Sequence, residues 1–79
     1  MTLDSWLTEK KLKSEEFAAM IGTTGEAVRR YRTGHRFPEP MIVESIVNAT
    51  DGEVTVQDLH ETRLAFLRQS QSDASPEAA

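Results

Sequence analysis

Apolar residues recur at spacings of three and four along most of the chain, and Gly, Pro and Thr punctuate them into five stretches. Thr2 can cap a first helix in which Leu3, Trp6 and Leu7 share one face, with Asp4 near its positive end. Trp6, the only Trp, is the expected anchor of the core. The polar run from Thr8 to Lys11 ends this helix, and Leu12 turns back inward. A second helix starts at Lys13 or Ser14, carries Glu15 and Glu16 in its first turn, and presents a stripe of Phe17, Ala18 and Ile21 with Met20 at its edge. Gly22 suits its C-terminal cap. The next helix has two candidate caps: Thr23, with Glu26 completing a capping box, or Thr24 one residue later. It runs to about Thr33 and stops at Gly34.

This third stretch is the most clearly divided. At about 100° per residue, Ala27, Val28 and Tyr31 fall on one side. Glu26, Arg29, Arg30 and Thr33 fall on the other, and Arg32 lies on the border. After the connection Gly34-His35-Arg36-Phe37-Pro38-Glu39, Pro40 suits the first turn of a fourth helix from Met41 to about Thr50. Its face of Ile42, Val43, Ile46, Val47 and Ala49 is broad enough either to pack entirely on the other helices or to serve a partner. Asp51-Gly52 signals a turn, and Thr55 can cap a fifth helix bearing Leu59, Leu64, Phe66 and Leu67. That helix either docks on the core or extends and pairs with its copy. From Gln69 the chain is polar and small, and it is expected to be a disordered acidic tail. The pattern predicts an all-α bundle of four to five short helices over residues 1–68 and a tail over 69–79.

Length and composition narrow the picture without changing it. Seventy-nine residues make one small domain, which buries only about 60% of its unfolded surface. There is no Cys for a disulfide or a thiolate metal site, and no apolar run approaches the roughly 18 residues of a spanning helix. The expectation is a cytoplasmic protein with no membrane partner and no cofactor. The formal net charge of −4 is unevenly distributed: residues 1–9 carry −2, residues 10–36 carry +4, and residues 37–79 carry −6. From Arg29 to Arg36 no acid interrupts the basic residues, which points to one face meeting an anionic partner.

The run KSEEFAAMIGTTGEAVRRYRTGHRFP resembles the helix-turn-helix of the Cro/CI, or XRE, family of bacterial and phage transcriptional regulators. The similarity lies in Ala18, in Gly22 at the turn, in Val28, in Tyr31 where the family usually has Trp or Leu, and in the exit Gly34-His35-Arg36-Phe37-Pro38. The segment Ala49-Thr50-Asp51-Gly52-Glu53-Val54-Thr55 also resembles the close of many short members, so that the likeness spans about residues 3–59. It implies a lambda-repressor-like fold in which Ala18 and Gly22 let two helices cross closely. It also implies that the third helix enters the major groove of double-stranded DNA. Ser14 and Thr24 would then lie at phosphates, while Glu26, Arg30 and Thr33 face bases. Arg29 shares that face by helical geometry, Arg36 in the exit loop is a phosphate candidate, and Arg32 and His35 complete the phosphate set. Gly25 departs from the pattern, because many relatives carry a base-reading polar side chain there. It offers no side chain and weakens the helix start by about 0.5–1 kcal/mol relative to Ala. Readout then rests on Glu26, Arg29 and Arg30, with Arg suited to guanine and Glu to cytosine N4. Glu26 has an alternative use, bracing Arg29 or Arg30 through an i,i+3 or i,i+4 pair.

The expected function is sequence-specific transcriptional regulation, as a repressor acting as a homodimer on a near-palindromic operator. Two alternatives stand beside it. One is an antitoxin and autorepressor holding a protein partner through the C-terminal helix; the other is a protein-interaction module that has lost DNA binding. An enzyme is not expected: His35 and His60 are isolated in sequence, and neither metal-ligand spacing nor a glycine-rich phosphate loop is present.

Overall fold

A computed structural model of the chain describes residues 1–74, and among these every regular element is helical. The helices are α1 (Leu3–Lys10), α2 (Ser14–Ile21), α3 (Gly25–Thr33), α4 (Pro40–Ala49) and α5 (Val56–Ala74). Their starts follow from local hydrogen bonds. Thr2 Oγ1 accepts from the Ser5 amide at 3.1 Å, and Thr24 Oγ1 accepts from the Ala27 amide at 3.1 Å. Thr24, not Thr23, is therefore the cap of α3. At the start of α2 the Lys13 amide donates to Glu16 Oε1 at 2.9 Å, and Pro40 opens α4. Thr55 and Asp58 cap α5 reciprocally: the Thr55 amide donates to Asp58 Oδ2 at 3.0 Å, and the Asp58 amide to Thr55 Oγ1 at 3.1 Å.

The core is assembled from every helix. Leu3, Trp6 and Leu7 of α1 meet Phe17, Ala18 and Ile21 of α2, Val28 and Tyr31 of α3, Ile46 of α4, Val54 and Leu59. Trp6 packs on Phe17 with ring centroids 5.7 Å apart. Each such side chain contributes about 1.5–3 kcal/mol when fully buried, so a cluster of this size can hold five short helices together. Thr50 ties off the turn between α4 and α5: its hydroxyl donates to the Ile46 carbonyl at 2.9 Å and accepts from the Val54 amide at 3.2 Å.

Three expectations change. Gly22 takes a left-handed φ of 77°, but a Cβ there would meet nothing within 4 Å, so it serves backbone conformation and not close helix crossing. The close approach falls at Gly25, where a Cβ would lie 2.7 Å from Glu15 Cγ. Finally, the helical span of α5 runs from Val56 to Ala74, past the expected boundary at Arg68. The remainder of the expected acidic tail, residues 75–79, lies outside the described residues. On α4 only Ile46 is buried; Ile42, Val43, Val47 and Ala49 are half-buried and Met41 is 74% exposed.

Gly34, at the end of α3, combines a φ of +87° with a backbone pressed against α5: a Cβ would sit 2.4 Å from the Thr62 carbonyl oxygen and 2.9 Å from Phe66 Cβ. Gly34→Ala is expected to destabilise by about 2–5 kcal/mol, adding left-handed strain to overpacking, whereas Gly22→Ala costs only the strain, about 1–2 kcal/mol. Urea titration of the two variants separates these cases, and equal losses would contradict the close contact. Hydrogen bonds from the Thr55 amide and then the N-terminal ammonium hold the Asp58 carboxyl below its ordinary value of 3.8. A carboxyl depressed on folding stabilises above its ordinary value, and that contribution disappears as pH falls through the folded one. Asp58→Asn should therefore lower the melting temperature at neutral pH and leave it closer to wild type in acid.

Candidate functional site

The exposed face of α3 is set by what its other face buries. Val28 is fully buried and Tyr31 is 6% exposed, so the helix cannot rotate without bringing one of them into water. That orientation leaves Glu26, Arg29, Arg30 and Thr33 exposed in a row. With His35 they line one shallow depression beside the end of the helix. Arg36 follows, exposed, with no ion-pair partner among the described residues. Thr33 Oγ1 reaches back to the Arg30 carbonyl at 3.3 Å, and the His35 amide donates to the same hydroxyl at 3.4 Å, which fixes the first turn of the exit loop.

Each arginine of α3 has an acidic neighbour. Arg30 pairs with Glu26 at 2.7 Å along the helix, and Arg29 with Glu15 of α2 at 3.3 Å. Arg32 pairs with Asp4 of α1 at 2.8 Å. The first two pairs are exposed, and exposed pairs contribute about 0–1 kcal/mol. They orient the guanidinium groups without committing them. Hydrogen bonding to its own backbone amide, and then the Arg29 guanidinium, lower the Glu15 carboxyl from its ordinary value, so this acid stays charged beside the helix at neutral pH. Gly25 makes the arrangement sterically feasible, since any side chain there would push into Glu15.

Two residues expected at phosphates are placed elsewhere. The Ser14 side chain is buried, and its hydroxyl accepts from Arg32 Nη1 at 3.1 Å. Arg32, bonded also to Asp4, joins α1, α2 and α3 instead of facing outward. Border residues on a helical wheel are decided by their neighbours, and here Asp4 and Ser14 draw Arg32 inward. Thr24 Oγ1 is engaged as the α3 cap but remains at the surface. Sequence reasoning missed Glu15 and Asp4, because pairing across 14 and 28 positions leaves no local signal. The glycine at position 25 was the one available hint that another element comes close. Among the described residues no group of three or more His, Asp or Glu side chains is placed to hold a metal ion. Comparison with protein-family models, with curated proteins and with solved structures returns no match to this chain.

The difference between the arginines is measurable. Arg32→Met removes a partly buried two-acceptor contact and should cost about 1–3 kcal/mol. Arg29→Met and Arg30→Met should each stay within about 1 kcal/mol of wild type. Denaturant titration checks the order, and an Arg32 variant as stable as the other two would contradict the inward placement.

Proposed function

We propose that this chain is a sequence-specific DNA-binding regulator of helix-turn-helix type, with α2 and α3 as the motif and α3 inserted into the major groove. The observation that carries this reading is the division of α3, with Val28 and Tyr31 buried and Glu26, Arg29, Arg30 and Thr33 aligned on the exposed side, ending at Arg36. A major groove about 12 Å wide admits one such helix. Arg29 and Arg30 are the base readers, and Glu26 either accepts from cytosine or braces Arg30, the pairing it makes in the free protein. Thr24, His35 and Arg36 lie at phosphates. The half-site on this reading contains G·C pairs. The biological role is repression of transcription in the cytoplasm, without catalytic chemistry or a cofactor.

One module has a small interface, and two copies on a near-palindromic operator supply the affinity that specific regulation needs, typically about 10⁻⁸–10⁻¹¹ M. Of the two candidate dimer surfaces α4 is the better supported. Leu59 of α5 is buried in its own core and Phe66 packs on His35, which leaves Val56 and Leu67 as the apolar surface of α5, whereas Met41, the most exposed large apolar side chain, stands on α4 with Phe37 before it. The ion pairing of α3 favours one other reading, a module that binds protein and not DNA, because Glu15 and Glu26 offset part of the positive potential of the face.

Selection of bound duplexes from random DNA decides between them. It is expected to return a half-site with guanine, bound with a steep salt dependence. Arg30→Ala should lose about 1–3 kcal/mol and relax the preference at one position. Recovery of only A/T half-sites would remove the assigned readout, and a chain that enriches no duplex at low salt would leave the protein-interaction module as the reading.

A further inference from the structure

Arg63 lies on α5, far in sequence from the exposed face of α3, yet its Nη1 donates to two carbonyl oxygens of the loop that leaves that helix. It reaches Gly34 O at 2.9 Å and His35 O at 2.9 Å. Gly34 and His35 lie just past Thr33, the last residue of α3, so their carbonyls belong to the exit loop and have no partner in the helix ladder, and the guanidinium supplies one. Around this contact the His35 ring packs on Phe66 with centroids 5.0 Å apart, and the Arg63 guanidinium carbon lies 6.0 Å from the same ring. Gly34 is pressed against the Thr62 carbonyl at a distance no side chain would permit. The exit loop of α3 is therefore held from one side by Thr62, Arg63 and Phe66.

We infer that Arg63 is a positioning residue of the DNA interface: by fixing the Gly34 and His35 carbonyls it sets where Arg36 meets the phosphate backbone. The inference rests on the proposed DNA-binding role. Arg36 is the exposed cation that immediately follows the clamped peptide, and its amide donates to the Arg30 carbonyl at 3.3 Å. Its approach to a phosphate thus depends on the path of the loop that Arg63 holds. Arg63 need not touch DNA for its loss to weaken binding. The clamp also makes α5 part of the DNA-binding unit, since moving this helix would release the loop.

The test uses the full chain and a mixed-sequence DNA duplex, because phosphate contacts do not depend on sequence. Wild type, Arg63→Ala, Arg36→Ala and the double variant are titrated at several salt concentrations, well below each variant's melting temperature. Arg63→Ala is expected to weaken binding about fivefold or more and to lower the salt slope by about 0.9, the contribution of one phosphate contact. Arg36→Ala should do the same in wild type and add less than about twofold in the Arg63→Ala background, because the contact has already been lost. Multiplicative effects of the two substitutions, or a salt slope untouched by Arg63→Ala, overturn the positioning role while leaving DNA binding intact. Absence of salt-dependent binding by wild type overturns the DNA-binding role and the inference with it. If Arg63→Ala does not fold, Arg63→Met, which keeps the stem but has no donor, is carried through the same cycle with the same criteria.

Discussion

At nine residues α3 is shorter than the roughly 12–15 at which an isolated helix begins to persist in water, so its existence depends on what holds it. Three supports act along its length. At its start Thr24 caps the backbone and Gly25 lets α2 approach to the distance of Glu15. In its middle Val28 and Tyr31 enter the common core. At its end Gly34 turns the chain out of the helix against α5, where Arg63 takes the Gly34 and His35 carbonyls of the exit loop. The outward row of Glu26, Arg29, Arg30 and Thr33 is a consequence of these inward contacts. A face defined this way is rigid without containing any strong interaction of its own.

The charges on that face follow a different logic from the core. Glu26 stands one turn before Arg30, the favoured direction for an i,i+4 pair, and Glu15 reaches Arg29 from the neighbouring helix. Both pairs are exposed, where water competes with the partner and salt screens it. Such pairs narrow the directions an arginine samples, yet a competing anion can displace the carboxylate at modest cost. Arg32 is the contrast. It is four-fifths covered and is bonded to Asp4 and the buried Ser14 hydroxyl, so withdrawing it would unmake a junction of three helices. Arginines two positions apart on one helix thus divide between structure and surface according to what lies across from them.

The same distinction explains what could be read from the sequence. The five helices, the caps at Thr2 and Thr55, the terminator at Gly34 and the buried pair Val28 and Tyr31 were legible, because each depends on neighbours within a few positions. The choice between Thr23 and Thr24 was not, since both satisfy the same local rule. Ser14 and Arg32 were misplaced for a related reason: their partners lie on other helices, and a border position has no orientation until those helices dock. Of the two glycines at the α2–α3 connection, one role moved and one stayed. Sequence suggested two roles for Gly22, a left-handed cap and a close crossing, and for Gly25 only a lost side chain; Gly22 keeps the cap, and the close approach belongs to Gly25. A glycine announces that something is unusual, but not whether the cause is dihedral or steric.

For α5 the sequence left open whether the helix docks or pairs with its copy, and the geometry gives docking a specific reason. A loop carbonyl packed against an adjoining element needs a donor, because an unpartnered buried polar group costs about 1–3 kcal/mol. Gly34 is buried, so water reaches its neighbourhood poorly. The Arg63 side chain is long enough to arrive from α5 with its guanidinium carbon 6.0 Å from the Phe66 ring centre, and it bonds both the Gly34 and His35 carbonyls with one nitrogen. The absence of a side chain on Gly34 then lets the Thr62 backbone come close enough for that reach. Glycine and arginine are in this way complementary parts of one contact. Replacing either alters the distance on which the other depends, and the exposed loop that carries His35 and Arg36 inherits the change.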